Sequence, residues 1–240
     1  MTDVLSRLIE AEKSRLSVEP ESLSDVIYRW NLMDFLEYAN RPCNNGVCIG
    51  VSELVYCSNK YYLRRKYPEL VLAENLYASW AVYGRLIHRG LQGLLREHGF
   101  ETEAEVSKKL FIEGLLVTIN GRIDALGLWR GLRTAIEIKS SRSDSELPRQ
   151  QHVLQLRIYM NLAKASQGIL IYVTPDRVTE YNIAEPISDP ELKVLIQETI
   201  NNTRHPRYDW ECSYCSFNHL CPYKKTMNSY RKRRSSDGTL

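Results

Sequence analysis

The stretch from Gly121 to Lys139 reads GRIDALGLWRGLRTAIEIK, and it decides the fold. Two apolar segments flank a turn at Gly131, which predicts two neighbouring β-strands. Asp124 lies on the first strand, and Glu137 and Lys139 lie on the second. Because adjacent strands bring their side chains together, we expect the two carboxylates to meet at one point, with the lysine alongside.

This pairing of carboxylates predicts phosphodiester chemistry. The strand period sends Glu137 and Lys139 to one face of the strand and sends Ile136 and Ile138 into the core. Two acidic side chains that supply oxygen ligands suit Mg²⁺ or Mn²⁺, which polarises a phosphate and activates water. Lys139 would position that water or offset charge on the phosphate. For the Glu-x-Lys triplet by itself, a surface ion pair on an exposed strand is the commoner explanation.

Three further residues support a catalytic interpretation. Gln155 and Tyr159 are one helical turn apart and therefore share a helix face, directly after the predicted catalytic strand. His88, one turn after Gly84 on an earlier helix, can supply an imidazole ligand. Each residue alone is unremarkable, but together with Asp124 and Glu137 their order indicates a metal-dependent nuclease.

Four cysteines predict a second metal site. Cys212, Cys215 and Cys221 lie near the C-terminus, and Cys57 completes a four-thiolate set that links distant parts of the chain. By ligand count, zinc and an iron-sulfur cluster are equally suitable. The remaining pair, Cys43 and Cys48, is expected to consist of plain thiols, with a disulfide or participation in a cluster as alternatives.

Length and charge set the outer bounds. The chain has 240 residues and a formal net charge of +3, which is too small to indicate nucleic acid by itself. No apolar run reaches the roughly 18 to 20 residues of a membrane helix, and residues 1–16 lack the pattern of a signal peptide, so we expect a cytoplasmic protein without membrane contact. Lys60–Lys66 and the tail Lys224–Arg234 are basic enough to hold a phosphate backbone, and the tyrosines of the first segment suit base stacking.

The periodicity along the chain predicts an α/β fold with helices packed on a mixed sheet. Residues 40–50 are expected to form a loop, followed by a short helix, capped by Ser52, that carries Cys57. We predict helices over Ser22–Tyr38, Ser79–His98, Leu147–Ala165 and Pro190–Asn202, and strands over Val106–Ile112, Leu115–Leu126, Thr134–Lys139, Ile169–Val173 and Val178–Ile183. Val4, Leu5, Leu8 and Ile9 have helical spacing, and Val26, Ile27, Trp30 and Met33 are expected to face inward.

The sequence resembles a known family. Gly84-x3-His88, GRID ending at Asp124, Glu137-Ile-Lys139 and Gln155-x3-Tyr159 look like the successive motifs of RecB-type nucleases in the PD-(D/E)xK superfamily. The four spaced cysteines are similar to the iron-sulfur staple of AddB-type nucleases and of the CRISPR-associated exonucleases of the fourth Cas family. The small size, with no helicase attached, favours the CRISPR-associated family.

The resemblance implies the following expectations about fold, site and function. It implies a restriction-endonuclease-like core, a [4Fe-4S] cluster rather than [2Fe-2S], and Mg²⁺ or Mn²⁺ held by His88, Asp124, Glu137 and the carbonyl of Ile138. Lys139 would be the catalytic lysine, with Gln155 and Tyr159 positioning substrate and active-site groups. We expect a helical extension at 1–50, the nuclease domain at 51–223 and a disordered basic tail at 224–240.

In activity, the resemblance implies a DNA exonuclease that acts 5′ to 3′ on single-stranded ends and prepares DNA for CRISPR spacer acquisition. The CRISPR integrase is an expected partner, and the resemblance is compatible with both a monomer and an oligomer. Two alternatives remain: a recombinational-repair nuclease of the RecB or AddB type, and a DNA-binding scaffold without turnover. The intact acidic and basic residues argue against the scaffold.

Overall fold

A six-stranded mixed sheet forms the centre of the fold in the computed structural model, which describes residues 7, 10–11, 13–14, 16–39, 43 and 46–225. The strand order is β1-β3-β4-β5-β6, and β2 also pairs with β3. The β1–β3 and β4–β5 pairs are parallel, and the other pairs are antiparallel. The strands are β1 (Val47–Gly50), β2 (Glu101–Ile112), β3 (Leu115–Trp129), β4 (Leu132–Ser140), β5 (Gln167–Val173) and β6 (Val178–Ile183).

Helices cover both faces of this sheet. They are α1 (Leu23–Ala39), α2 (Val51–Leu54), α3 (Ser58–Lys66), α4 (Pro68–Leu76), α5 (Ser79–Glu97), α6 (Gln150–Ala163) and α7 (Asp189–Ile200), followed by a 3₁₀ helix (Asp209–Tyr214). The larger apolar cluster joins the sheet to α6 and α7, and a smaller one joins its other face to α5. The predicted α/β fold with helices on a mixed sheet is therefore confirmed.

The long strand β3 carries a fork in the sheet. β2 pairs with one edge of β3 along its length, so β1 and β4 must both use the opposite edge. The pairing with β1 ends at Asn120, and the pairing with β4 begins at Ala125. Among the described strands, none pairs with the intervening edge of Gly121–Asp124. The chain therefore leaves an opening at the position of the predicted catalytic aspartate.

The structure corrects several local predictions in the first part of the chain. The last four residues of the expected loop at 40–50 form strand β1, which pairs with β3. The central sheet therefore begins before the predicted domain boundary at residue 50. The predicted short helix is two helices, and Gly50 rather than Ser52 precedes the first one. Cys57 lies between them, at the N-terminus of α3. Helix α4 was not predicted.

Helix α1 lies within one residue of its predicted bounds, but its predicted inward face is only partly correct, because Trp30 and Met33 are half-buried and Val26 and Ile27 are not. Val26 and Ile27 are 44% and 46% exposed, whereas Leu32 and Leu36 are buried. The buried positions are set by the packing of α1 against α4 and α5, which local periodicity does not show. Val4, Leu5, Leu8 and Ile9 lie outside the described residues, as does the basic tail beyond residue 225.

Cys43 and Cys48 form a disulfide, so the expectation of plain thiols is wrong. The pairing of β1 with β3 places Cys48 in the sheet, opposite Thr118. Among the helices of the described residues, none has the length and apolar character needed to cross a membrane.

Candidate active site and cysteine cluster

Asp124 lies in the opening of the sheet and holds its edges together. Its Oδ2 accepts a hydrogen bond of 2.7 Å from the backbone N–H of Ile138, and its Oδ1 lies 3.1 Å from Nδ1 of His88. A carboxylate thus takes the place of the missing strand pairing between β3 and β4. Burial favours the neutral imidazole, but the hydrogen bond and charge of Asp124 outweigh it and raise the pKa of His88.

Glu137 and Lys139 form a buried ion pair on the α6 side of β4. Lys139 Nζ donates to Oε1 of Glu137 at 2.6 Å and to Oε1 of Gln155 at 3.0 Å. Glu137 is 3% exposed, so the alternative of an ion pair on an exposed strand is wrong. Its second oxygen, Oε2, is also buried and has no hydrogen-bond partner among the described residues. A buried carboxylate oxygen without a donor is costly unless another group binds it.

Charge and burial act on this pair in opposite directions. Burial raises the pKa of Glu137, and the neighbouring carboxylate of Asp124 adds to this shift, although Lys139 opposes it. For Lys139, burial would lower the pKa, but Glu137 and Asp124 outweigh it and raise the pKa. The raised pKa of Lys139 keeps its amine charged. The raised pKa of Glu137 shows that Lys139 does not fully offset the cost of burying the carboxylate charge.

Gln155 and Tyr159 extend this network along α6. Gln155 Nε2 donates to the Tyr159 hydroxyl at 3.4 Å, so Lys139, Gln155 and Tyr159 form a connected chain of contacts. The ring of Tyr159 packs directly on Gly121, where an added Cβ would lie 2.4 Å from ring atom Cε1. The close backbone approach at Gly121 thus makes room for the ring of a predicted site residue.

Gln92 is a residue of this centre that the sequence interpretation missed. It is 4% exposed, and its Nε2 donates to the carbonyl of Asp124 at 3.4 Å and to the carboxylate of Glu103. It lies one helical turn after His88, so the spacing His88-x3-Gln92 was a usable signal. Gln92 holds the backbone of Asp124 from the α5 side of the sheet.

The four predicted cysteine ligands come together at one cavity of about 290 Å³. Cys57, Cys212, Cys215 and Cys221 all line it, and all four are free thiols. Asn59 Nδ2 donates a hydrogen bond to the sulfur of Cys221 at 3.3 Å. The backbone N–H of Lys225 donates to the sulfur of Cys212 at 3.5 Å. Burial raises the pKa of Cys57 to about 11, so a metal must displace a proton to bind there.

Neither centre is arranged around a single metal ion. Within the part of the chain that the structure describes, no group of three or more His, Cys, Asp and Glu side chains is placed to hold one. At the catalytic centre, the Asp124 carboxylate contacts His88 and the N–H of Ile138, and the Glu137 carboxylate contacts Lys139. At the other centre, the thiols surround a cavity rather than a point. The metal-ligand and catalytic roles of these residues remain predictions.

Comparison with known proteins identifies the family. The family model of the PD-(D/E)XK nuclease superfamily matches residues 93–222, more than half of the chain. The CRISPR-associated exonuclease Cas4 of Saccharolobus solfataricus is 40% identical over 180 residues, which cover 74% of this chain and 89% of that protein. The chain belongs to the Cas4 family of PD-(D/E)XK nucleases. The crystal structure of SSO0001 is similar, with a TM-score of 0.79, 36% identity, and coverage of 85% of this chain and 98% of that one.

The family confirms the predicted nuclease activity and favours it over the non-catalytic scaffold. The family-model match includes Asp124, Glu137, Lys139, Gln155 and Tyr159, whereas His88 and Cys57 precede it.

Tyr56 belongs to the wall of the cysteine cavity in this Cas4-family nuclease. It lines the cysteine cavity, and its ring packs edge-on against Trp210 with centroids 6.4 Å apart. Burial raises the pKa of Tyr56, and the charges of Lys139, Glu211 and Glu137 also act on it. Tyr56 is therefore a residue of the cysteine cavity on which the charges of Lys139 and Glu137 also act.

The basic segment Lys60–Lys66 is less free to bind DNA than its sequence indicates. Arg65 forms an ion pair of 2.7 Å with Glu53 and lies 3.5 Å from the ring centroid of Tyr61, which is buried. The hydroxyl of Tyr62 donates to the carbonyl of Ile200. The packing of Tyr61 therefore does not support its expected stacking on bases, whereas Tyr62 is 38% exposed and its stacking stays a prediction. Arg231–Arg234 of the basic tail lie outside the described residues.

Proposed function

We propose that this nuclease is a Mg²⁺- or Mn²⁺-dependent DNA exonuclease that cuts single-stranded ends, 5′ to 3′, and prepares DNA for CRISPR spacer acquisition. The observation that carries the metal dependence is the buried Oε2 of Glu137, which has no hydrogen-bond partner among the described residues, while the charge of Asp124 also raises the pKa of Glu137. The exonuclease activity is supported by the relative, which is named a CRISPR-associated exonuclease. Strand polarity and single-strand preference rest on family resemblance.

The residues present fit a divalent ion. His88, Asp124, Glu137 and the carbonyl of Ile138 would hold it, because imidazole and oxygen ligands suit these metals and Glu137 has an oxygen to spare. When bound, such an ion stabilises negative charge on the phosphate and makes water more acidic. A bound ion would place positive charge beside the buried Oε2 of Glu137, which has no hydrogen-bond partner among the described residues.

The remaining residues hold and orient the reacting groups. Lys139, kept charged by Glu137, places an ammonium next to the metal ligands, where it stabilises charge on the scissile phosphate and orients the attacking water. Gln155 fixes the ammonium from a second direction, and Tyr159 in turn fixes Gln155. Asp124 holds His88 through Nδ1, which leaves Nε2 available for a ligand role.

Digestion of end-labelled DNA tests this function. We expect cleavage of linear single strands with Mn²⁺ or Mg²⁺, none with EDTA, and no cleavage of circular single strands, because an exonuclease needs an end. Lys139→Met should reduce cleavage by on the order of 100-fold or more, since removing one electrostatic stabiliser costs about that much. Cleavage by Lys139→Met at the parent rate would refute the catalytic assignment.

Lys108 provides a matched control for Lys139. Its Nζ also contacts a carboxylate and an amide oxygen, at 2.5 Å from Asp189 and 3.0 Å from Asn161, but it lies on β2 away from the centre. Lys108→Met should therefore show comparable loss of local contacts and parent-like cleavage. A similar loss of activity in both variants would indicate damage to the fold rather than to the chemistry.

We also propose a [4Fe-4S] cluster in the cysteine cavity. Four free thiols line it, each iron of such a cluster can take one thiolate, and N–H donors already point at two of the sulfurs. A structural role follows because the cluster would join Cys57 to residues far along the chain. Anaerobically prepared protein should contain iron and sulfide and show the broad visible absorption of an iron-sulfur cluster. Zinc without iron would contradict this assignment.

The wider setting is proposed on the family alone. We propose a cytoplasmic enzyme that works beside the CRISPR integrase, with a helical N-terminal extension that ends before β1 and with residues 224–240 as a basic tail.

A further inference from the structure

A buried carboxylate joins the two chain segments that carry the cysteines. Glu211 lies on the 3₁₀ helix directly before Cys212 and is 8% exposed. Its Oε1 accepts the backbone N–H of Cys57 at 2.8 Å. Its Oε2 accepts the backbone N–H groups of Arg207 at 2.8 Å and Tyr208 at 2.9 Å. One side chain therefore binds the first cysteine and the segment that leads to the other three.

These bonds need no metal. Ser58 and Arg204 add two hydrogen bonds next to those of Glu211. The N–H of Ser58 donates to the carbonyl of Arg204 at 2.9 Å, and the N–H of Arg204 donates to the hydroxyl of Ser58 at 3.1 Å. A buried carboxylate is costly to desolvate, but three N–H donors compensate it. The junction thus fixes the backbone of Cys57 against the distant segment through protein groups alone.

We propose that Glu211 is a positioning residue for the cluster, and this inference rests on the proposed iron-sulfur site. By holding Cys57 in place, Glu211 removes much of the entropic cost of bringing the distant ligand to the other three. Glu211 is also among the residues that line the cysteine cavity, so its negative charge would lie near the cluster. Net charge near a cluster is one determinant of its reduction potential.

Glu211→Gln tests both effects with little change of shape. The amide NH₂ group would face backbone N–H groups, from which it cannot accept hydrogen bonds. The negative charge of the Glu211 carboxylate would also be lost. We expect iron to be released to a chelator about 10- to 100-fold faster than from the parent, as for other changes next to metal ligands. The reduction potential should move to more positive values, because removing a negative charge favours the reduced cluster.

Glu191→Gln is the matched control. Its carboxylate also accepts a backbone N–H, that of Ser188 at 2.9 Å, but it caps α7 at a different position in the fold. Iron content, release rate and potential should equal those of the parent. Should Glu211→Gln not fold, Glu211→Asp keeps the charge with a shorter side chain and should also release iron faster.

The outcomes separate this inference from the cluster proposal. Parent protein without iron and sulfide overturns the cluster assignment and this inference with it. Parent protein that holds the cluster, combined with parent-like release and potential in the Glu211 variant, overturns the role of Glu211 alone.

Discussion

Replacement of Gly121 by alanine tests how the fold supports the candidate site. An added Cβ would lie 2.4 Å from Cε1 and 3.3 Å from Cδ1 of Tyr159, and 2.8 Å from Cγ2 of Val51. Carbon atoms pack at about 3.5 to 4.0 Å, so the tyrosine ring must retreat by about 1 Å. Both neighbours are buried, Tyr159 at 5% exposure and Val51 at 0%, so neither can move into solvent.

The cost follows from this overpacking. Forcing an extra methyl group into a packed core typically costs about 1 to 3 kcal/mol, which lowers the melting temperature of a chain of this size by roughly 2 to 12 °C. Because Tyr159 contacts Gln155, which contacts Lys139, a shift of the ring also displaces the catalytic amine. Misplacement by about 1 Å can cost on the order of 100-fold in rate, so we expect a loss of kcat of about 10- to 100-fold.

Thermal unfolding and digestion of end-labelled DNA measure the two effects. Gly93→Ala is the control, since an added Cβ there has nothing within 4 Å; it should add about 0.5 to 1 kcal/mol of helix stability and leave cleavage unchanged. Tyr159→Val combined with Gly121→Ala should recover stability relative to the sum of the single changes, because the smaller side chain relieves the clash. A Gly121→Ala protein that melts and cuts like the parent would refute the proposed packing.

Two further predictions concern stability. Burial lowers the pKa of His152 to about 3, whereas a histidine in the unfolded chain has a pKa of about 6.5, so the unfolded chain binds a proton that the folded chain excludes. The resulting loss of stability is small above about pH 6.5 and grows as the pH falls towards 3. Between about pH 7 and pH 5 it should amount to about 2 kcal/mol in urea unfolding, and His152→Gln should lose this part of the pH slope. The hydroxyl of Ser188, the N-cap of α7, accepts a hydrogen bond from the backbone N–H of Glu191. Ser188→Ala should therefore lower the free energy of unfolding by about 1 kcal/mol without changing cleavage. An unchanged midpoint of urea unfolding would contradict the role of Ser188 as a cap.

The catalytic strand was predictable because its information is local. Alternation from Thr134 to Lys139 identified β4, and the one-turn spacing of Gln155 and Tyr159 identified their shared helix face. The burial of Glu137 was not predictable, because α6 packs over the strand and the sequence of β4 does not contain that contact. The same holds for β1, whose four residues are too short for a periodic signal and become a strand by pairing with β3.

By itself, the sequence determined which chemical groups this protein has and in what order: two carboxylates, a lysine, an imidazole and four distant thiols. Side-chain type and helix or strand period are properties of neighbouring residues, so they can be recognised without coordinates. The tertiary structure alone decided the fork in β3 that Asp124 bridges, the buried Glu137 oxygen without a partner, and the carboxylate of Glu211 on Cys57. These contacts join residues far apart in the chain, and their energies depend on the packing that surrounds them.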